Sequence, residues 1–383
     1  MKLNITLVIA FLIILVSCKH EQEEIKTKTI DSKSVIDSIF NLSKLGCFSN
    51  FIPLETNENS IISGINKIYF VDNHIYILDR DGGKGVFIFD RNGKFIRKIG
   101  RIGGGPGEYV SIDDFTIDKN NLTVYLLANR ENVLLYNIDG KYIRSFKTDF
   151  YASKIEYNSS SNKIYFIGDD AGDNLIIADL NGKKIKGFFP NEDFGQHVRI
   201  LINPFNNLDT TVLYRRFLDD NIYALKDDFL HIHYKIDFGE EALSESKLKE
   251  LLKLDTKQFK QSLQKFKSHI KYYVENDKNI LFYFFHNKIP HLCVYEKGNN
   301  KSKTCSIINL QDDILYFETF PLIENITDKN EYVFFVEAEN FISNIANIKN
   351  DSMKNLANVM IKESNLQYDS NPVICILKPA NNE

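Results

Sequence analysis

A repeating order of apolar and polar segments runs through the chain. A run of aliphatic and aromatic residues is followed by a short polar loop, a second apolar run, and a turn containing an Asn-Gly or Asp-Gly pair. In the three clearest copies the turn glycines, Gly93, Gly140 and Gly182, are 47 and 42 residues apart. Periods of this length, with hairpins inside them, are typical of β-propeller blades. The Asn-Gly and Asp-Gly pairs predict two-residue type I′ turns, whose central residues both have positive φ.

Weaker copies of the same pattern bring the number of strand pairs to six; they occupy 211–225, 280–295 and 332–377. Each pair follows a predicted innermost strand, at 65–70, 114–117, 153–157, 198–202, 269–274 and 314–320. The last copy ends after its third strand. We therefore expect residues 51–55 to supply its outer strand and close the ring, which removes open sheet edges. The predicted fold is all-β, a six-bladed β-propeller whose last blade is closed by an N-terminal strand.

Two amphipathic stretches, about 244–267 and 340–362, interrupt the strand pattern and predict helical insertions. Leu248, Leu251 and Phe259 fall on one stripe of the first, which follows a plausible cap at Ser244. Both insertions either pack against the rim of the propeller or form a partner-docking surface or lid.

The amino end has the features of a bacterial export signal. One charge, Lys2, precedes an apolar run over 3–16 that is shorter than the roughly 20 residues of a spanning helix. The run ends in Leu-Val-Ser-Cys18, which resembles a lipobox, so we expect Cys18 to be acylated after cleavage. This divides the chain into a signal peptide (1–17), a lipidated N-terminus with a polar linker (18–46) and the propeller domain (47–383).

An acidic cluster at 21–24 resembles the sorting signal of some surface lipoproteins of Gram-negative bacteria. The predicted location is therefore the outer membrane, with the domain either exposed on the surface or facing the periplasm. Without Lys2 the chain has 46 basic and 51 acidic residues, a balance that argues against nucleic acid as a partner.

Four cysteines, Cys47, Cys293, Cys305 and Cys375, follow Cys18. Their even number permits disulfides in an oxidising compartment, Cys293 with Cys305 and Cys47 with Cys375, but the spacing does not require them. No CxxC pair is present, which argues against a zinc knuckle. His231 and His233 share a strand face without a third spaced ligand, so we predict no metal site and no cofactor.

The glycine-rich segment 100–109, followed by Asp-Phe-Thr-Ile-Asp at 114–118, resembles the linker of NHL-type propeller repeats. Together with Phe-Ile-Pro-Leu-Glu-Thr-Asn at 51–57, it resembles a family of six-bladed β-propeller lipoproteins of unassigned function. The resemblance covers about 47–190. It implies the fold and the anchoring, and it provides no catalytic residues to carry over.

Loops of two kinds share one face of a propeller: those joining second to third strands, and those joining one blade to the next. Polar residues in these loops define a candidate binding face: Arg80, Arg130, Asp169, Arg215, Arg216, His286 and Glu108. Arginines mixed with acids suit a polar or anionic small molecule or a carboxylate-bearing chain. The glycine-rich segment lacks the Lys-Ser/Thr ending of a Walker loop, so we interpret it as a structural turn.

These features predict a cell-envelope lipoprotein, bound to the membrane by its lipid, whose propeller is a binding or scaffold module. Its partner would be an envelope protein, a polar or anionic small molecule, or a glycan. No Gly-x-Ser-x-Gly or His-Glu-x-x-His motif is present, which favours a non-enzymatic role. The alternative is a propeller enzyme, a lyase, lactonase or glycan-acting hydrolase, with its site at the channel mouth.

Overall fold

Six antiparallel sheets follow one another along the chain and form the blades of a β-propeller. The computed structural model describes residues 27–36, 38–169, 172–191, 203–208, 210–226, 228–318 and 320–380. The predicted signal peptide, Cys18 and the acidic cluster lie outside the described residues.

The strands of each blade, from the channel outwards, are as follows. Blades 1 and 2 comprise Lys67–Val71, His74–Asp79, Gly85–Asp90 and Phe95–Ile99, then Ile112–Asp118, Thr123–Ala128, Asn132–Asn137 and Tyr142–Lys147. Blades 3 and 4 comprise Ala152–Asn158, Lys163–Gly168, Asp173–Ala178 and Lys184–Pro190, then Phe205–Asn207, Val212–Arg215, Asn221–Lys226 and Phe229–Asp237. Blades 5 and 6 comprise Tyr273–Glu275, Asn279–His286, Ile289–Glu296 and Lys301–Ser306, then Asn325–Ile326, Tyr332–Val336, Val373–Pro379 and Gly46–Pro53.

The core is divided into wedges between neighbouring blades. In the second strand of blade 1, Ile75 and Ile77 pack against blade 6, whereas Tyr76 and Leu78 pack against blade 2. The same division recurs around the ring, with one buried cluster in each of the six wedges. Because both faces of the two middle strands of a blade are buried, these strands are nearly continuous apolar runs, as in His74–Asp79 and Gly85–Asp90.

The hairpin turns differ from the predicted two-residue type I′ turns. In blade 1, Gly93 N donates to Asp90 O (3.0 Å), and among the turn residues only Gly93 has positive φ, at 84°. The Asp90 carboxylate accepts from the backbone N of Asn92 and Lys94 (2.8 and 2.9 Å), and Asp179 in blade 3 does the same. The side chain before the turn thus fixes a four-residue turn with glycine at its last position.

The amino-terminal segment closes the last blade, as predicted, over a longer stretch than 51–55. Gly46–Pro53 pairs antiparallel with Val373–Pro379, with Ile52 opposite Ile374 and Phe51 opposite Cys375. Phe51 and Ile52 are buried in the two wedges that flank blade 6. One strand from near the start of the chain therefore fastens the ring.

The expected polar linker is not a free spacer from residue 27 onwards. Lys28–Asp31 and Val35–Ile36 add parallel strands to the outer edges of blades 4 and 5, and Phe40–Asn41 pairs with Leu310–Gln311. Ile30 is fully buried between blades 4 and 5. We call the described residues of 27–44 the N-terminal strap, because they run along blades 4 and 5 and the link to blade 6 before entering the closing strand.

Buried polar contacts fix the strap. The Ser32 and Thr304 hydroxyls are hydrogen-bonded at 2.9 Å in a buried position. The buried Lys267 Nζ donates to Lys33 O at 2.6 Å, and Lys33 itself forms an ion pair with Asp237 (2.8 Å). These contacts hold the strap across the boundary between blades 4 and 5.

Each helical insertion contains two helices. The first contains α1 (Glu245–Leu251) and α2 (Thr256–Leu263), and the Ser244 hydroxyl caps α1 by accepting from Lys247 N. The second contains α3 (Ala338–Asn344) and α4 (Asp351–Ser364), inserted between the second and third strands of blade 6. Both pack on the propeller: Leu251 and Phe259 join Phe217 and Leu218 in a buried cluster, and Phe341 contacts Phe51 edge to face.

The described inner strands of blades 4 and 6 do not lie at their predicted positions. The predicted strand 198–202 lies outside the described residues, and the inner strand of blade 4 is Phe205–Asn207. The prediction of 314–320 for blade 6 is wrong, since the inner strand is Asn325–Ile326. The apolar side chains at 314, 315 and 320 instead pack in the wedge between blades 5 and 6, which also buries α3. This apolar run therefore fills the core outside the sheet.

The four cysteines after Cys18 are free thiols in the structure. Cys47 is exposed, and its partner across the closing pair is Lys378 rather than Cys375. Burial raises the pKa of Cys293 and of Cys305 to about 12, which keeps both thiols protonated and unreactive near neutral pH.

The register of the closing strand gives a direct test of ring closure. In a chain that begins at Lys19, we expect Lys378→Cys to form a disulfide with Cys47 under mild oxidation, because the two positions are paired across the closure. Non-reducing peptide mapping measures the crosslink. The matched control is Pro379→Cys, whose side chain points to the other face of the sheet. Equal crosslinking of both variants would refute this register.

Candidate functional site

The loops between second and third strands and the links between blades lie at one end of the channel, which we call the mouth face. The tight turns 72–73, 119–122 and 159–162 lie at the other end, the opposite face. Local polar contacts shape the mouth loops. In blade 2, Asn129 and Arg130 have positive φ, and the Asn129 side chain accepts from Ser111 N at 2.9 Å. This turn presents Arg130 at the mouth.

Arg80, Arg130 and Asp169 lie on the mouth face as expected. Arg130 and Asp169 form an ion pair, and the Arg130 guanidinium lies over the ring of Tyr151 at 5.3 Å. The Arg80 side chain is about as exposed as that of Arg130, and its Nε is 3.4 Å from the Asp81 carboxylate. The structure thus brings Arg130 and Asp169 together and leaves the Arg80 side chain accessible to a ligand.

Arg215 is buried rather than exposed at the mouth. Its guanidinium donates to the carbonyl oxygens of Ile270 and Lys271 (3.4 and 3.3 Å) and of Asn203. Burial lowers the pKa of Arg215 to about 10. These bonds tie blade 4 to the segment that enters blade 5. Arg215 therefore has a structural role.

Arg216 and His286 lie further from the channel. The Arg216 guanidinium lies over the ring of Phe189 (4.7 Å) and borders a cavity of about 710 Å³ between blade 4 and α1. His286 Nε2 is 3.4 Å from a Glu241 oxygen. The structure therefore does not bring these two side chains together with Arg80 and Arg130.

Glu108 holds the glycine-rich segment in shape. Its carboxylate accepts from Gly105 N and from Arg101 Nε, both at 2.8 Å, and these bonds keep the pKa of Glu108 below its usual range. The Tyr109 hydroxyl donates to Lys84 O (2.8 Å), which joins the segment to blade 1. These contacts stabilise the folded link between blades 1 and 2.

A buried polar network crosses the channel. Lys67 Nζ, from blade 1, donates to Asp114 Oδ2 (3.1 Å), Phe115 O (2.8 Å) and Ile155 O (3.1 Å), and lies 3.5 Å from Glu156 Oε2. Burial disfavours the charge of Lys67, but the adjacent carboxylates outweigh it and raise its pKa. The network links the inner strands of blades 1, 2 and 3.

Lys154 is the polar group near the mouth that sequence reasoning missed. It lies on the inner strand of blade 3, and its ammonium group has no hydrogen bond or ion pair with any described residue. Burial lowers the pKa of Lys154, and the nearby Asp114 partly offsets this effect. One oxygen of the buried Asp114 carboxylate, Oδ1, also has no partner among the described residues.

Two cavities lie in or beside the channel, and Lys154 lines neither of them. One, of about 330 Å³, is lined by inner-strand side chains that include Tyr69, Glu156 and Glu275 and reaches turn residues of the opposite face such as Lys119. The other is a groove of about 690 Å³ between 317–324 and α3. Glu324 borders both, and burial raises its pKa to about 7, although Lys271 opposes the shift. Volumes of this size accommodate small ligands.

A signal in the sequence could have identified the channel residues. Lys67 and Tyr69, Asp114 and Thr116, and Lys154 and Glu156 alternate with apolar residues on the predicted inner strands. Polar side chains at alternate positions of a strand share one face, and here that face borders the channel. The loop arginines were more conspicuous, although two of them lie away from the channel axis.

The family of this chain is clear from its sequence. A family model, the domain of unknown function DUF4934, matches residues 27–378. The chain belongs to the DUF4934 family. The match begins where the N-terminal strap begins, so the strap is part of this DUF4934 domain. No curated protein matches the chain.

Two solved structures are similar to this DUF4934 protein to different degrees. A protein of Bacteroides fragilis NCTC 9343, provisionally named an exported protein, is similar with a TM-score of 0.75 and 17% identity, over 92% of this chain and 100% of that one. BamB from Moraxella catarrhalis is similar at a TM-score of 0.36 and 13% identity, over 67% and 66% of the two chains. The first likeness supports the six-bladed fold.

Two kinds of feature are absent from the described part of the chain. No group of three or more His, Cys, Asp or Glu side chains there is arranged to hold a metal ion. Over the same residues, no helix is long and apolar enough to cross a membrane.

The Lys67 network makes a prediction about stability. Lys67→Met would leave Asp114 and Glu156 as buried charges without their counter-ion, and losing one partner of a buried ion pair costs about 3–5 kcal/mol. Urea denaturation should show a loss of this size in the free energy of unfolding. Lys141→Met, at an exposed hairpin, should change it by less than about 0.5 kcal/mol. A loss below about 1 kcal/mol for Lys67→Met would contradict the structural role of the network.

Proposed function

We propose that this protein is a lipid-anchored, non-enzymatic binding module of the bacterial cell envelope. Its propeller binds the anionic group of a polar small molecule, or a carboxylate-bearing chain, at the mouth of the channel. The observation that carries the proposal is Lys154, a partly buried side chain on the inner strand of blade 3 whose ammonium group has no hydrogen bond or ion pair with the described residues.

Burial opposes the charge of the Lys154 ammonium group more strongly than the nearby Asp114 supports it, so a site of this kind favours an incoming anion. Arg80 and the Arg130–Asp169 pair lie at the rim of the same mouth. A guanidinium group makes forked contacts with carboxylates, so the arginines would orient an anion that the charge of Lys154 attracts. The three basic side chains come from blades 1, 2 and 3, so a ligand there would contact several blades at once.

The proposed anchor rests on the sequence at 1–18. A charged start, a short apolar run and a cysteine after small or aliphatic residues are the elements of a lipoprotein signal. The strap leads from Thr27 directly into the fold, so a lipid on Cys18 would be joined to the propeller by eight residues. We propose the outer membrane as the location, with the domain on the surface or facing the periplasm.

Binding is tested with defined anions. We expect citrate or oligogalacturonate to release heat on titration into the wild-type chain, and neutral maltohexaose to release none. Lys154→Met should weaken binding of the anion at least about tenfold, because it removes one charge-assisted contact. Lys141→Met serves as the charge-matched control on an exposed hairpin. Unchanged affinity in Lys154→Met, with binding retained by both variants, would refute the role of Lys154.

The pH dependence of binding gives a second test. Binding requires protonated Lys154, whose pKa is lowered, so affinity should fall as pH rises at a lower pH than for an ordinary lysine. Lys154→Arg keeps its charge over this range. It should therefore retain affinity at alkaline pH where the wild type loses it. Identical pH profiles for the two proteins would contradict this assignment.

The anchor is tested in cells. Cys18→Ser should abolish incorporation of labelled fatty acid and move the protein from the membrane fraction to the soluble fraction, because no acyl chain remains to bind the bilayer. Cys47→Ser is the matched control, since Cys47 is exposed on the folded domain. Retention of label by Cys18→Ser would show that another residue carries the lipid.

One observation favours a glycan-acting hydrolase as a second candidate. Glu324 lies in the groove beside the mouth with a pKa of about 7, and a carboxyl group of raised pKa can act as a general acid. Release of reducing sugar from a defined polysaccharide, lost in Glu324→Gln but not in Lys154→Met, would favour this candidate over binding alone.

A further inference from the structure

Exposed apolar and basic side chains lie together on the rim of blades 3 and 4, near the opposite face. Phe229 begins the outer strand of blade 4 and is 55% exposed, and Ile232 and Ile185 are also exposed. The Lys186 Nζ lies 4.8 Å above the ring of Phe229. We call the group Ile185, Lys186, Phe229 and Ile232 the rim patch.

Further basic residues surround the rim patch. Lys183 is exposed in the turn before Ile185 and Lys28 on the strap strand alongside, and Lys235 is exposed further along the outer strand of blade 4, toward the mouth face. Asp228, at the turn before Phe229, forms an ion pair with Lys163. The chain as a whole carries a formal net charge of −4, so a local concentration of lysines around apolar side chains departs from its average surface.

The strap begins beside this patch. The Thr27 hydroxyl donates to Ile232 O at 2.8 Å, and the strap strand Lys28–Asp31 covers only the second half of the outer strand of blade 4. The first half, which contains Phe229 and Ile232, has no strand beyond it among the described residues. The first described residue of the strap therefore lies beside the rim patch.

We propose that the rim patch rests on an anionic phospholipid bilayer. This inference rests on the proposed acylation of Cys18. Eight residues separate Cys18 from Thr27, and an extended chain of this length reaches only about 30 Å, so Thr27 would lie within that distance of the membrane surface. Aromatic and aliphatic side chains ringed by lysines suit the boundary between headgroups and acyl chains.

This contact sets the orientation of the molecule. The rim patch lies on the side of the opposite face, since Phe229 and Ile185 follow the turns between third and fourth strands. Resting this edge on the bilayer directs the mouth face away from the membrane. The channel mouth with Lys154 and Arg80 is then accessible to ligands from the aqueous side.

The absence of tryptophan from the chain allows a clean measurement. A chain starting at Cys18 and carrying Cys47→Ser is coupled through Cys18 to maleimide lipid in phosphatidylcholine–phosphatidylglycerol vesicles. Phe229→Trp places a single fluorophore in the rim patch. Ile143→Trp places it at a similarly exposed position, 52% in the wild type, on the outer strand of blade 2.

We expect brominated lipids to quench Phe229→Trp several-fold more strongly than Ile143→Trp, with a blue shift of emission only for Phe229→Trp. Adding Lys28→Glu and Lys235→Glu to Phe229→Trp should remove the difference. Equal quenching of the two single reporters would overturn the proposed contact. Because the lipid is attached chemically, a negative result would refute the contact between the rim patch and the bilayer. It would leave natural acylation and ligand binding at the mouth untouched.

Discussion

Pairing between Gly46–Pro53 and the third strand of blade 6 is the constraint on which the whole ring depends. The four antiparallel strands of every other blade are consecutive in the chain, whereas those of blade 6 come from both ends of the described chain. The closing strand buries Phe51 on one side and Ile52 on the other, so it completes two wedges of the core at once. Without it, blade 6 would present an open edge, and its two neighbouring wedges would lose part of their packing.

The strap extends this closure along the outside of the ring. It adds one parallel strand to blade 4 and one to blade 5 before the chain enters blade 6. Parallel pairing of this kind protects sheet edges that would otherwise be exposed. Because Ile30 is fully buried and Ser32 is hydrogen-bonded to Thr304, the strap is part of the folded domain and connects any lipid at Cys18 directly to the propeller.

The channel combines two kinds of polar group with different consequences. Lys67 of blade 1 is surrounded by acceptors from blades 2 and 3 and stabilises the ring, in the way that Arg215 ties blade 4 to blade 5. Lys154 is partly buried without an acceptor among the described residues, and Glu324 has a raised pKa in the groove between 317–324 and α3. Satisfied groups favour a structural role, whereas unsatisfied ones near a cavity favour a ligand.

The sequence by itself determined the repeating hairpins, the number of blades, the position of the closing segment and the two helical insertions. These follow from local rules: alternation on two buried faces, turn residues and helix caps act within a few positions of the chain. The strap escaped prediction because its strand Lys-Thr-Ile-Asp has only one apolar residue, and its partner lies about 200 residues away. Only the tertiary structure decided that Arg215 is buried, that Lys154 lacks an acceptor, and that Glu108 serves its own loop. The environment of a charged side chain depends on neighbouring blades, which no local pattern specifies.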